Sequence, residues 1–334
     1  MDNKGLIPPG LGYLAENIRT RDNFLGASKE EGAKWAKNLG LPKQSETVFF
    51  AGCGYQFSSK LEAAMGLIRK MDKTPIGTDV AIGLAGFQRK LGMESLMFRV
   101  IGGGDTEEGE PLKAAIKVLN RLGINPGYLA EEEPCCGGLL HYVGAEKEYT
   151  QRARQVISKL TSRGIKNIIS IVPSCTYSLK NTFEKLEMES SIKVDHFCEV
   201  VARNINSLHL HFPRSVKVTY HDPCQLVRYL GLVDEPRQIL HSITGIEFVE
   251  PQWTKGQWAT CCGGGGGFEA VFPEMSEMLA VNRTKELLET GAQIIVTHCP
   301  GCIMQLETGL KALKAENIKV LDLAQIVATS LEDK

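Results

Sequence analysis

No uncharged apolar run in the 334 residues approaches the roughly 20 needed to span a bilayer, and the longest, Val80 to Phe87, falls far short. No sign of charge dominates either. The chain carries 38 basic and 39 acidic residues, a formal charge of −1, so composition does not support nucleic acid as the main partner, which would call for a basic surface or stripe. The opening MDNKGLIPPGLGYLAENIRTRDNF has no basic segment followed by an apolar one, so no signal peptide is expected and a cytoplasmic protein is. Two sequence fingerprints are also missing. There is no C-x2-C-x2-C-x3-C-P cluster-binding run. Ile101-Gly102-Gly103-Gly104 lacks the strand and helix that would make it a dinucleotide loop, and reads better as a turn.

Against these absences stand ten cysteines in a chain of otherwise average make-up, 43% hydrophobic and 23% charged. They are too sparse for a small disulfide scaffold, yet they cluster. In a reducing compartment such clusters read first as metal ligands or redox groups. The competing reading is buried free thiols acting as small hydrophobes.

The chain is doubled. VFFAGC, PCCGG, NIISIVPSC and IKVDHFCEVV are answered later by VTYHDPC, TCCGG, QIIVTHCPGC and IKVLDLAQIV. Cys135-Cys136 precedes Cys261-Cys262 by 126 positions, Cys175 precedes Cys302 by 127, and Ile192 precedes Ile318 by 126. A near-constant offset between chemically matched landmarks marks a repeat. Cys53 and Cys224 differ by 171, which puts an insertion in the first half near residues 70–109. A partner-docking or lid segment and a neutral surface elaboration fit that insertion equally well. The boundaries that follow are an N-terminal arm over 1–46, a first unit over 47–210 and a second over 211–334.

Short β-branched runs alternate with amphipathic patterns in both halves. Val48–Ala51, Asn167–Val172, Val216–Tyr220 and Gln293–Thr297 read as buried strands. Leu112–Leu122, Lys147–Ser162, Pro273–Thr290 and Ile303–Lys314 read as helices, with Gly123, Gly164, Gly245 and Gly291 as C-caps. The expected fold class is α/β: two tandem pseudo-symmetric units, each a mainly parallel sheet flanked by helices. The cysteines then fall at the carboxyl ends of strands, where such sheets collect ligands.

The second half offers Cys224, Cys261, Cys262, Cys299 and Cys302. Five thiolates exceed the four that a tetrahedral zinc takes, and adjacent cysteines suit a polynuclear cluster better than one ion. The glycine run after Cys262 lets backbone N–H groups approach sulfur, although a flexible phosphate loop or linker is an alternative reading. The first half offers Cys53, Cys135, Cys136 and Cys175, with Val172 where the second half has Cys299. Cys198 matches Ala324 in a helical pattern and reads as a core thiol. His221 precedes Cys224 at the mouth of the second set and is either a proton donor to a leaving thiolate or a structural hydrogen-bonding residue. His141 and His298 share that ambiguity. Arg228 and Arg237 fit either an anionic substrate or a solvated surface. The acidic runs at 105–110 and 131–133 read as solvated faces, or as steering for a basic partner.

The doubled Cys…CysCysGly…CysProGlyCys pattern resembles the CCG-domain iron–sulfur proteins. That family includes the B and D subunits of heterodisulfide reductases, DsrK-type subunits, and iron–sulfur subunits of glycolate, lactate and glycerol-3-phosphate oxidations. The resemblance spans roughly residues 20 to 330. DNFLGASKEEGAKWAKNLG is similar to the stretch joining a ferredoxin module to the first CCG unit in D-type subunits. The resemblance implies a non-cubane 4Fe–4S cluster on Cys224, Cys261, Cys262, Cys299 and Cys302, at which a disulfide is reduced, with His221 beside it. The complete CysProGlyCys favours the B/D branch over the glycolate/lactate type. Val172 departs from the B-subunit pattern and points to a cubane or degenerate first site. The implied partners are ferredoxin-like (C-type) and flavin (A-type) subunits of a redox complex. Two other functions remain open on sequence: a pure electron-transfer subunit serving a separate dehydrogenase or acyl-CoA reductase, and a structural zinc protein.

Overall fold

A computed structural model describes residues 7–72, 109–185 and 192–332, with backbone alone for 67–72 and 181–185. The insertion expected near 70–109 lies almost wholly outside the described residues, as do Ile101–Gly104 and most of the acidic run 105–110. Two parallel sheets form. β1 (Thr47–Phe50), β2 (Asn167–Ser170) and β3 (Lys193–His196) pair in that order. β4 (His211–Tyr220), β5 (Thr244–Val249), β6 (Ile294–Thr297) and β7 (Lys319–Asp322) pair in the order β5-β4-β6-β7. Ile294 to Thr297 is buried at every residue, as expected of a parallel strand covered on both faces by helices. The architecture is α/β, with parallel sheets flanked by helices.

Register reproduces the sequence repeat. Ser170 lies opposite His196 in the first sheet, and Thr297 opposite Asp322 in the second. His196 and Asp322 each accept a backbone N–H at the start of the next helix (Phe197–Arg203 and Leu323–Ser330), and each closes a capping box, with Glu199 and Gln325 respectively. Among the described residues the outer strand β5 has only a vestige in the first unit. There Gly127 makes a single parallel bridge to Val48, held by Phe49 N–H to Gly127 O at 2.8 Å and Gly127 N–H to Thr47 O at 2.9 Å.

Two local expectations need correction. Gly245 is not a C-cap but a residue of β5 with φ +84°, where a Cβ would stand 2.8 Å from the Phe212 carbonyl oxygen. β5 itself gave no strong pattern because its residues are only half-buried. The helix read as Ile303–Lys314 instead runs over Pro300–Ala312, since Pro300 occupies its first turn and needs no N–H partner. Cys302 therefore lies in the first helical turn. Cys175 does the same in Pro173–Lys185.

One apolar core joins the two sheets, running from Val48, Phe49 and Ile168 through Phe197 and Cys198 to Tyr220, Val296 and Leu323. A buried polar seam crosses it. The Tyr55 hydroxyl donates to Asp322, Asp322 Oδ1 pairs with His298 Nδ1 at 2.9 Å, and the His298 ring meets His196 edge-on at 4.9 Å. The helix Pro9–Arg21 packs Ala15 and Ile18 against Cys135, Leu140 and Tyr149. Among the described residues no helix is long and apolar enough to cross a membrane.

His196 makes this seam sensitive to acid. Its Nε2 faces the Ile171 carbonyl at 3.2 Å, while its Nδ1 accepts from Cys198 N–H at 3.3 Å. Burial, and then the neighbouring His298, hold its pKa well below the usual histidine value. The unfolded chain therefore takes up a proton near pH 6.5 that the folded chain refuses, so this histidine's contribution to stability is intact above pH 6.5 and lost as pH falls below it. His196→Asn, which keeps a helix-capping oxygen, is expected to lessen the fall in stability between pH 6.5 and 5.5 by up to about 1.4 kcal/mol per pH unit. Unfolding midpoints for both proteins across that range check it, and parallel pH profiles would contradict it.

Candidate metal centres

The strand ends deliver the cysteines. Cys53 follows β1 in the helix Gly52–Gln56, and Cys224 follows β4 just before a π-helical turn at Gln225–Tyr229. Cys175 and Cys302 follow β2 and β6 in first helical turns, where the helix N-terminus offers partial positive charge. Against a hydrogen bond with Cys136, burial nevertheless raises the Cys175 thiol, and Cys262, Cys299 and burial raise that of Cys302. The two Cys-Cys pairs lie on loops with matching geometry. Gly137 (φ +78°) donates its N–H to Cys135 Sγ at 3.4 Å, and Gly263 (φ +84°) donates to Cys261 Sγ at 3.3 Å. Each second cysteine of a pair then meets the helical one, with Cys136 Sγ 3.3 Å from Cys175 Sγ and Cys262 Sγ 3.2 Å from Cys302 Sγ.

In the first set Cys53 hydrogen-bonds Cys135, and all four thiols interact electrostatically. In the second, Cys224 faces Cys299 and Cys262, while Cys302 contacts both Cys262 and Cys299. All ten cysteines are free thiols. Cys198 stands apart in the core with its Sγ 3.0 Å from His196 Nδ1.

Crowding and burial make these thiols reluctant acids. The hydrogen bond to Cys136, together with burial, pushes Cys135 up to about 12. Burial, then the neighbouring Cys299 and Cys262, pushes Cys224 to about 11. Cys262 goes the other way. Hydrogen bonds from Cys261 and Cys302, and a further contact from His221, hold its thiol well below the ordinary value. The second set thus favours one thiolate, at its centre.

His221 is 1% exposed and sits over that centre. A ring nitrogen of His221 and the sulfurs of Cys262 and Cys302 all lie within 4.8 Å of one another. Arg283, wholly buried on the helix Pro273–Leu288, donates its Nε–H to His221 Nδ1 at 3.0 Å. Among the described residues His221 Nε2 has no hydrogen-bond partner. Sequence reasoning missed Arg283, although a charged residue in register with buried Ala280 and Leu287 was the available signal.

Other candidates have structural partners. Arg237 forms a two-pronged ion pair with buried Asp222, at 2.9 Å on both sides, and a further one with Glu250. Arg228 donates to the Gln257 and Ala259 carbonyls, bracing the loop before Cys261. His141 pairs with Glu146 at 2.9 Å. The run at 131–133 is not uniformly solvated. Glu133 is buried and accepts the Ala51 and Gly52 N–H groups at 2.8 and 2.9 Å, which fixes the turn leading to Cys53, and burial raises its pKa to about 7.

The two sets are neighbours. Tyr142, six residues beyond Cys136, donates to Gln225 Oε1 at 3.0 Å, and its hydroxyl feels Cys136 and Cys175 on one side and Cys224 on the other. Gly54, next to Cys53, approaches Pro300 so closely that a Cβ would stand 2.8 Å from the proline ring.

A family profile described as the cysteine-rich domain, CCG, matches residues 103–180 and 218–307, and the chain belongs to that family. EtfAB:quinone oxidoreductase of Syntrophomonas wolfei is 34% identical over 230 residues, covering 66% of this chain and 32% of that one. The D-type subunit of the dihydromethanophenazine:CoB–CoM heterodisulfide reductase of Methanosarcina barkeri is 34% identical over 224 residues, covering 65% of this chain and 54% of that one. The chain therefore spans about a third to a half of the length of these relatives, which are oxidoreductases or subunits of them. A crystal structure of a hypothetical protein from Helicobacter pylori shares the fold, with TM-score 0.53 and 14% identity over 67% of this chain and 46% of that one.

The loop geometry gives a direct test. A Cβ at Gly263 would stand 2.4 Å from the Ser276 carbonyl oxygen, in a backbone conformation that side chains disfavour. Gly263→Ala is expected to destabilise the chain by roughly 1–3 kcal/mol. Thermal unfolding checks it, and an unchanged midpoint would contradict it.

Proposed function

We propose that this chain is an iron–sulfur subunit of a heterodisulfide reductase-like electron-transfer complex. In this reading Cys224, Cys261, Cys262, Cys299 and Cys302 hold a non-cubane 4Fe–4S cluster on the second unit. Cys53, Cys135, Cys136 and Cys175 hold a cubane cluster on the first, and the units divide at 47–210 and 211–334 with an arm over 1–46. The observation that carries the reading is the convergence of five sulfurs on one strand-end site, one more than a tetrahedral zinc takes. A cluster bound there would supply electrons one at a time.

The chain's own residues supply the setting. The Gly137 and Gly263 amides donate to sulfur, and the first turns of two helices carry Cys175 and Cys302, so backbone partial charges stabilise anionic sulfur alongside Lys29 and Arg228. Tyr142 and Gln225 close the short space between the sets, which favours transfer from one to the other. Reduction of a disulfide at the second site would consume two electrons and two protons and release two thiols. Ferredoxin-like and flavin subunits are the proposed partners, and the cytoplasm the proposed location. The neighbouring sets equally support a relay role, with electrons passing to a separate catalytic subunit. Disulfide turnover by the purified chain with an artificial donor separates the two.

Cys302 contacts two other thiols of its set. Cys302→Ala is expected to abolish the second site's EPR signature and lower iron content while sparing the first-site signal. An unchanged spectrum and iron content would refute the assignment, and zinc in place of iron and sulfide in anaerobically purified protein would overturn the cluster reading altogether.

A further inference from the structure

The two units differ in the residues beside the second set. In sheet register Phe50 stands opposite Ser170, and one step beyond the Tyr220–Val296 pair His221 stands level with Thr297, so Phe50 is the counterpart of His221. The 126-residue offset makes Ile157 the counterpart of Arg283, and the CysProGlyCys alignment makes Val172 that of Cys299. Phe50, Ile157 and Val172 are all buried and apolar. The second unit has exchanged three apolar side chains for an imidazole, a guanidinium and a thiol.

A buried arginine is costly unless its donors are used. Arg283 uses Nη1 on Thr254 and on Glu286 at 2.7 Å and Nε on His221 Nδ1 at 3.0 Å, while Nη2 has no hydrogen-bond partner among the described residues. A guanidinium is always a donor, so His221 Nδ1 must be an acceptor and carry no proton. The neutral ring then bears its hydrogen on Nε2, which has no other hydrogen-bond partner among the described residues, and a ring nitrogen lies within 4.8 Å of the Cys262 and Cys302 sulfurs. The ring is thereby excluded as a metal ligand as well. Ligation through Nε2 would require the proton on Nδ1, pointing into the Arg283 N–H.

We infer that Arg283 is a positioning residue which locks His221 as a fixed Nε2–H donor to the Cys262 and Cys302 sulfurs, and that this donor raises the reduction potential of the second site above what its cysteines alone would set. The inference rests on the cluster reading above. An N–H aimed at sulfur stabilises the more negative, reduced state, so it favours electron arrival at the second site over the first, where Phe50 offers no donor. The step is one-electron reduction, the electron coming from a reduced iron–sulfur cluster at the first site that a ferredoxin-like or flavin subunit has reduced, and no proton leaves His221.

The test is an EPR-monitored potentiometric titration of the full chain with both sites loaded, read for each site separately. His221→Phe, which installs the first unit's residue, and Arg283→Met are both expected to raise the second site's oxidised-to-reduced ratio about tenfold at a fixed potential, or roughly 59 mV for one electron. His221→Gln, which keeps an N–H, is expected to retain most of the wild-type potential, and the first site is expected to stay unchanged in all three. An unchanged second-site potential in both His221→Phe and Arg283→Met overturns the inference. Loss of second-site iron in both His221→Phe and His221→Gln, with the first site intact, also overturns it by making the ring a ligand. A wild-type chain that holds no iron and sulfide overturns the cluster reading instead, and this inference with it.

Discussion

Nine sulfur atoms crowded into two buried or half-buried clusters cannot all carry charge unless something positive faces them. That electrostatic constraint organises much of the structure. Left to themselves the thiols resist ionisation, as the rise of Cys135 to about 12 and of Cys224 to about 11 shows. The fold answers with partial charges as well as with the cations Lys29, near Cys53, and Arg228, near Cys224. Parallel strands end where helices begin, so Cys175 and Cys302 enjoy helix N-termini. The turn after each Cys-Cys pair points a glycine amide back at sulfur. Gly263 is required for this twice over, by its positive φ and by the Ser276 carbonyl lying where a Cβ would go.

Duplication explains how two such pockets come to face one another. Each unit presents its thiols at the carboxyl end of its own sheet, and one continuous core holds those ends together. The seam between them is polar only where the repeat requires caps: His196 and Asp322 hold equivalent positions, and Asp322 also gathers His298 and Tyr55. Asymmetry has then accumulated at one pocket. The first keeps buried, apolar Phe50, Ile157 and Val172 at the positions where the second has His221, Arg283 and Cys299. A pair of sites with unequal surroundings is what directional electron transfer needs.

Much of this was legible in the sequence. The parallel α/β class followed from β-branched runs alternating with amphipathic ones, and the two thiol sets followed from the offset of 126 or 127 residues. What escaped was whatever depends on a tertiary neighbour. β5 lacks a buried face and so showed no strand pattern, and Gly245, which looked like a cap, is a strand residue pressed against Phe212. Arg283 looked like one more charge on a helix until the fold placed it against His221. Glu133 ended an acidic run, yet the fold turned it inward to hold the backbone before Cys53. Arg228 and Arg237 were plausible substrate clamps, but both are committed to local carbonyls and carboxylates.

The central claim is that one chain carries two unequal iron–sulfur sites, the second completed by a fifth thiol. A Mössbauer spectrum of the anaerobically isolated, 57Fe-enriched chain tests it most directly. The account predicts two 4Fe–4S populations in equal amount, one with the uniform iron environments of a cubane and one with clearly inequivalent irons. A single uniform population, or a chain that holds zinc and no iron, would contradict it.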